Sequence, residues 1–251
     1  VTGVQTCALP ILTEEVSSIE AYLLHVIASL ETIQSPLLGN SLRLEDQSCP
    51  GFADVTSADA SHIRVGTFEV PKGGSARRVS CIADETTLNH SIFSPSVYRY
   101  LLLVGEAGSG KTLCCQKMVL RECQSSLKSI HARKSDSTSG SPYMIPLYLS
   151  LVQIMVAFET IGSVCGLDRL IIEGNVVEDS YHDLLLQARS AGQLLLILDD
   201  YHLLKAEALE KCHEFLLRIR GLSIPLLPVD RPPIRGLVLA SGPKPFPREF
   251  L

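Results

Sequence analysis

Eight consecutive residues, Gly105-Glu106-Ala107-Gly108-Ser109-Gly110-Lys111-Thr112, fit G-x-x-x-x-G-K-[ST] at every fixed position. That spacing suits a polyphosphate. Glycines let a loop fold back so that successive backbone N–H groups face phosphate oxygens, and the helix that follows adds its positive end. In such a loop Lys111 reaches the β- and γ-phosphates and the Thr112 hydroxyl ligates Mg2+. An apolar strand before the motif (Tyr100 to Val104) and an apolar helix after it (Leu113, Met118, Val119) supply the context it needs.

The second chemical stretch is LLLILDDYHLL, residues 194 to 204. An apolar run ending in an acid places that acid at the carboxyl end of a buried strand, beside the phosphate site. Asp199 is then the Mg2+ acid, acting through water. Asp200 stands at the strand exit, where a carboxylate can orient and activate an attacking water; the alternative is that it caps a helix beginning near Tyr201. The candidate catalytic residues are thus Asp200 and Lys111, and the candidate metal ligands are Thr112 and Asp199. The candidate nucleotide contacts are residues 105 to 112, Leu113 and Ser241, the last at the end of a later strand. His202 reads as a surface or supporting residue, and the other histidines form no spaced cluster. No N-K-x-D is present to select guanine, which favours an adenine nucleotide, ATP or ADP, with Mg2+.

Composition bounds the rest. Of 251 residues, 46% are hydrophobic and 20% charged, which is globular composition. A formal net charge of −5 offers no electrostatic reason to propose nucleic acid as a partner. No apolar run approaches bilayer length, so no membrane span is expected. The eight cysteines show no C-x-x-C pairing, which points to reduced thiols in a cytoplasmic protein.

Several elements must position this chemistry. Residues 1–11, VTGVQTCALPI, are similar to the in-frame translation of a sequencing-library adapter and are set aside as an artefact. Residues 12–94 read as an N-terminal helix and linker region. Within them, residues 13 to 34 carry Val16, Ile19, Leu23, Val26, Leu30 and Ile33 at alternating intervals of three and four. That is one apolar helix face, widened by Tyr22, Leu24 and Ile27, with Thr13 as cap. Residues 37 to 62 read as loop, and 62 to 70 as a strand. From residue 95 to 251 the order is strand, glycine-rich turn, helix (about 111 to 123), polar loop, strand MIPLYLSL, helical region, strand QLLLILDD, helix near 205 to 220 and strand RGLVLAS. Strands of continuous hydrophobicity alternating with helices predict an α/β fold, three layers with a central parallel sheet.

GEAGSGKT, IPLYLSL, GQLLLILDDYHLL and RGLVLASGP, in this order, resemble the NACHT and NB-ARC branch of the signal-transduction P-loop NTPases. The resemblance covers roughly residues 98 to 245 and implies a three-layer P-loop core. It implies slow Mg2+-dependent ATP hydrolysis, an ADP-closed and ATP-open switch, self-oligomerisation, and protein partners held by domains beyond this stretch. The paired aspartates are closer to the NB-ARC pattern and give Asp200 the base role. Where these families place a sensor arginine after the last strand, this chain has Gly242, which leaves a non-hydrolysing scaffold open. A phosphotransferase is the further alternative, and the chain reads as a fragment truncated at its C-terminus.

Overall fold

Four apolar runs become four neighbouring strands: β6 (Arg99–Val104), β7 (Ile145–Ser150), β8 (Leu194–Asp199) and β9 (Gly236–Ser241). The computed structural model describes residues 9–30, 32–34, 41–44, 52–54, 63–69, 77–80, 99–135, 143–219 and 236–242. The four strands are parallel, in the order β7-β8-β9-β6. Every residue of β8 and β9 is buried. Burial on both faces is why these strands read as unbroken apolar runs rather than alternating ones.

The last strand in sequence lies between β6 and β8. Val104 pairs with Ser241, Leu198 with Leu239, and Ser150 with Asp199. One edge of the sheet therefore gathers the residue before the glycine loop, the strand-end serines and the first aspartate.

Residues before 94 join the same sheet. β4 (Ile63–Glu69), within the expected strand, pairs antiparallel with β6. β3 (Phe52–Asp54) and β5 (Arg77–Ser80) flank β4. A separate pair, β1 (Thr32–Gln34) and β2 (Ser41–Arg43), is antiparallel. The stretch 37 to 62, expected as loop, thus contributes β2 and β3.

Helices flank the sheet: α1 (Leu9–Leu30), α2 (Lys111–Ser135), α3 (Leu151–Ile161), α4 (Leu167–Glu173), α5 (His182–Ser190) and α6 (Ala206–Ile219). Phe158 of α3 meets Phe215 of α6 edge to face, with ring centroids 5.4 Å apart. Together with the parallel strands this is a three-layer α/β core, as the strand and helix alternation predicts.

Two helices depart from expectation. α1 begins at Leu9, so Thr13 lies inside the helix and not at its start; Pro10 occupies the first turn, where a missing N–H costs nothing. It ends at Leu30, and Ile33 belongs to β1. Ile19 and Leu23 are buried and Val16, Val26 and Leu30 pack against the core, whereas Leu24 is exposed. α2 runs to Ser135, through residues whose polar composition suggested a loop from 124 onward. Its far half is held by Cys123 and Ile130, both buried, and by Ser126, whose hydroxyl donates to the Met144 carbonyl at 2.6 Å. The remainder of the expected loop, residues 136–142, lies outside the described residues.

α1 also covers an edge. Among the described residues β7 ends the sheet, and its Pro146 has no N–H to offer. The Pro146 carbonyl accepts a 2.8 Å hydrogen bond from the Tyr22 hydroxyl of α1. Burial pushes that phenol far above its ordinary pKa, so it remains a donor.

Candidate phosphate-binding site

The glycine-rich loop leaves β6 and turns at Ser109, whose N–H donates to the Glu106 carbonyl at 3.2 Å. Gly108 and Gly110 have φ of 78° and 86°, a left-handed backbone that side chains resist, which is what the glycines of the motif supply. The first N–H of the Gly105 end donates to the Ser241 carbonyl at 3.2 Å, tying the loop to β9.

α2 starts at Lys111, and its first helical bond runs from the Cys114 N–H to the Gly110 carbonyl at 2.8 Å. The N–H groups of Lys111, Thr112 and Leu113 therefore lie in the first turn, where no intrahelical carbonyl faces them. That is the arrangement in which a helix N-terminus takes up an anion. Glu106, Ala107, Gly108 and Thr112 are exposed, while Gly105 and Ser109 are buried.

Lys111 is 4% exposed and folded back over its own loop. Its Nζ donates to the carbonyls of Gly105 (2.9 Å) and Glu106 (2.6 Å), with Ser109 Oγ at 3.4 Å. Burial lowers its pKa below the ordinary lysine value, and the nearby Asp199 charge opposes that. The ammonium thus sits at the mouth of the loop, held by neutral carbonyls that compete weakly with a phosphate.

Asp199 is fully buried at the end of β8. Its Oδ2 accepts from the Tyr148 hydroxyl at 3.1 Å and its Oδ1 from the Asp200 N–H at 2.7 Å. Burial, then the neighbouring Asp199 charge, pushes the Tyr148 hydroxyl upward, so the tyrosine stays protonated as the donor. Cys115 is fully buried in the same neighbourhood. Burial and both aspartate charges hold its thiol well above the ordinary range, so it is not a thiolate nucleophile.

Asp200 has φ of 67°, a left-handed conformation that aspartate tolerates better than most residues. It precedes a single 3₁₀ turn, Tyr201–Leu203, but its side chain makes no capping bond there. The carboxylate instead accepts from the Ser150 hydroxyl at 2.7 Å. The capping alternative for Asp200 is therefore corrected: the acid is engaged across the strand ends. Ser241 is buried, with its hydroxyl 3.2 Å from the Gly242 carbonyl to which it donates.

Tyr148 and Ser150 escaped the reading of the sequence. Their signal was present as polar residues two apart in an otherwise apolar strand, ending level with Asp199. Among the described residues no group of three or more His, Cys, Asp or Glu could hold a metal ion. Mg2+ suits this donor set all the same, because it keeps several waters and is bound by one or two protein oxygens together with phosphate.

No helix among the described residues is long and apolar enough to cross a membrane. A family model described as AAA domain matches residues 97–226, from just before β6 to past the end of α6. No curated protein and no solved structure matches the chain.

Proposed function

The chain belongs to the AAA domain family, a P-loop NTPase type, and from that premise we propose that it is the ATP- and ADP-binding module of a signal-transduction switch that hydrolyses ATP slowly with Mg2+. One observation carries the reading: a buried lysine at the start of α2 lies within reach of the charge of a buried aspartate at the end of β8, beside helix N–H groups that no intrahelical carbonyl faces.

In this reading Gly105 to Leu113 cradle the phosphates, and Lys111 exchanges its loop carbonyls for phosphate oxygens. Thr112 and Asp199 would hold Mg2+, which would neutralise phosphate charge. Asp200, fixed by Ser150, accepts a proton from the attacking water. The narrower NACHT or NB-ARC assignment draws support from the four ordered motifs. It carries with it the cytoplasmic setting, self-oligomerisation and partners held by other domains.

A non-hydrolysing scaffold is the second reading. It is favoured by the prior engagement of the Asp200 carboxylate and by Gly242, which offers no side chain beyond β9. Titration with a fluorescent ATP analogue, followed by phosphate-release kinetics, separates the two. The switch reading expects Mg2+-dependent binding that Lys111→Ala abolishes and slow turnover that Asp200→Asn removes. Absence of binding by the unaltered chain overturns the nucleotide reading. Turnover unaffected by Asp200→Asn removes the base assignment, and binding without turnover favours the scaffold.

A further inference from the structure

Gly242 follows Ser241 at the end of β9. A Cβ built there would lie 2.7 Å from the Cβ of His202, closer than real Cβ atoms approach. A side chain at 242 and His202 cannot both keep these positions. The bare backbone at 242 is what lets the turn after β8 come down against β9. His202 therefore stands next to the residue whose neighbour, Ser241, holds Gly105 of the glycine loop. Along the chain it is three positions beyond Asp199, the last residue of β8.

His202 Nδ1 is buried and has no hydrogen-bond partner among the described residues. The other such buried atom, Arg189 Nη1, lies in an ion pair with Asp168 and so has its charge matched. His202 Nδ1 has neither. A buried polar atom left in this state calls for a partner supplied from outside the chain, a water or a ligand. Here the neighbouring feature that takes up a ligand is the phosphate cradle.

We propose that His202 hydrogen-bonds the terminal phosphate of a bound nucleoside triphosphate, directly or through one ordered water, and so sets the preference for triphosphate over diphosphate. The proposal rests on the nucleotide-binding reading above. His202 belongs to the turn that directly follows Asp199 and Asp200, the two acids assigned above to the metal and to the attacking water. A phosphate oxygen only accepts, so the ring nitrogen that meets it directly carries the proton; a water can serve either tautomer. Gly242 is then a requirement of the histidine's position.

The test is a pair of titrations on the whole chain with Mg2+: a non-hydrolysable fluorescent ATP analogue and fluorescent ADP. His202→Ala is expected to weaken triphosphate binding about tenfold, the effect of losing a hydrogen bond to a charged group, with ADP binding within about twofold of the unaltered chain. His202→Asn, whose amide N–H stands near the place of Nδ1, is expected to restore most of the preference. Gly242→Ala, which displaces His202 without removing it, is expected to erode it. Equal losses for both nucleotides, or no loss, overturn the proposal while leaving nucleotide binding intact. Binding of neither nucleotide by the unaltered chain overturns both readings together. If circular dichroism finds His202→Ala unfolded, the other two variants decide: an unchanged preference in Gly242→Ala and a lost one in His202→Asn overturn the proposal.

Discussion

Ser150 and Asp200, fifty positions apart in sequence, are joined by a 2.7 Å hydrogen bond across the ends of β7 and β8. The donor fixes one carboxylate oxygen of a residue whose backbone is already in the left-handed region. Ser150→Ala is expected to lower turnover about fivefold, the equivalent of one hydrogen bond of about 1 kcal/mol. Nucleotide affinity stays unchanged, and Ser150→Thr keeps most of the rate. Steady-state phosphate release beside equilibrium titration checks this; an equal loss of affinity would assign Ser150 to binding instead.

Tyr148→Phe removes the hydroxyl that donates to Asp199. A hydrogen bond to a metal-ligating carboxylate orients it, and its loss weakens metal affinity by about tenfold. The Mg2+ concentration for half-maximal turnover is expected to rise by that factor, while ADP binding measured in chelator stays the same. A Mg2+ requirement that does not move would separate Tyr148 from the metal site.

Glu122 of α2 is buried, and burial raises its carboxyl to about 7, against the weaker pull of the Ser126 hydroxyl. The folded state thus retains a proton that the unfolded chain releases near the ordinary carboxylate value of 4.5. Stability therefore falls as pH rises between roughly 4.5 and 7, and the penalty is complete above that window. Glu122→Gln is expected to stabilise the protein at pH 8 by on the order of 3 kcal/mol relative to its effect at pH 4.5. Urea midpoints of both chains at the two pH values test this; parallel shifts would exclude Glu122 as the source.

Phe215 is fully buried and meets Phe158 edge to face between α6 and α3. Phe215→Ala is expected to cost about 3–5 kcal/mol of unfolding free energy. Chemical denaturation reads it directly, and a change below about 1 kcal/mol would mean the two helices repack around the gap.

β8 and β9 were legible because burial on both faces leaves an apolar run with no alternation to misread. The glycine loop was legible because its backbone demands residue types at fixed spacing. What escaped was non-local. The Asp200 side chain had a plausible local use as a cap, and only Ser150 on another strand takes it elsewhere. Residues 124–135 carry loop-like composition, yet Ile130 is buried in the core and Ser126 bonds the Met144 carbonyl, and those partners outweigh local propensity. Thr13, expected as a cap, lies inside α1, whose first residues fall in the stretch 1–11 that the sequence reading set aside.

The bond from Tyr22 to Pro146 has a consequence for solubility. β7 would otherwise present an open border of backbone donors and acceptors, to which a strand from another molecule could add. Pro146 deletes one donor from that border and Tyr22 occupies one acceptor, so the helix that carries Tyr22 works as a lid against cross-molecule strand addition.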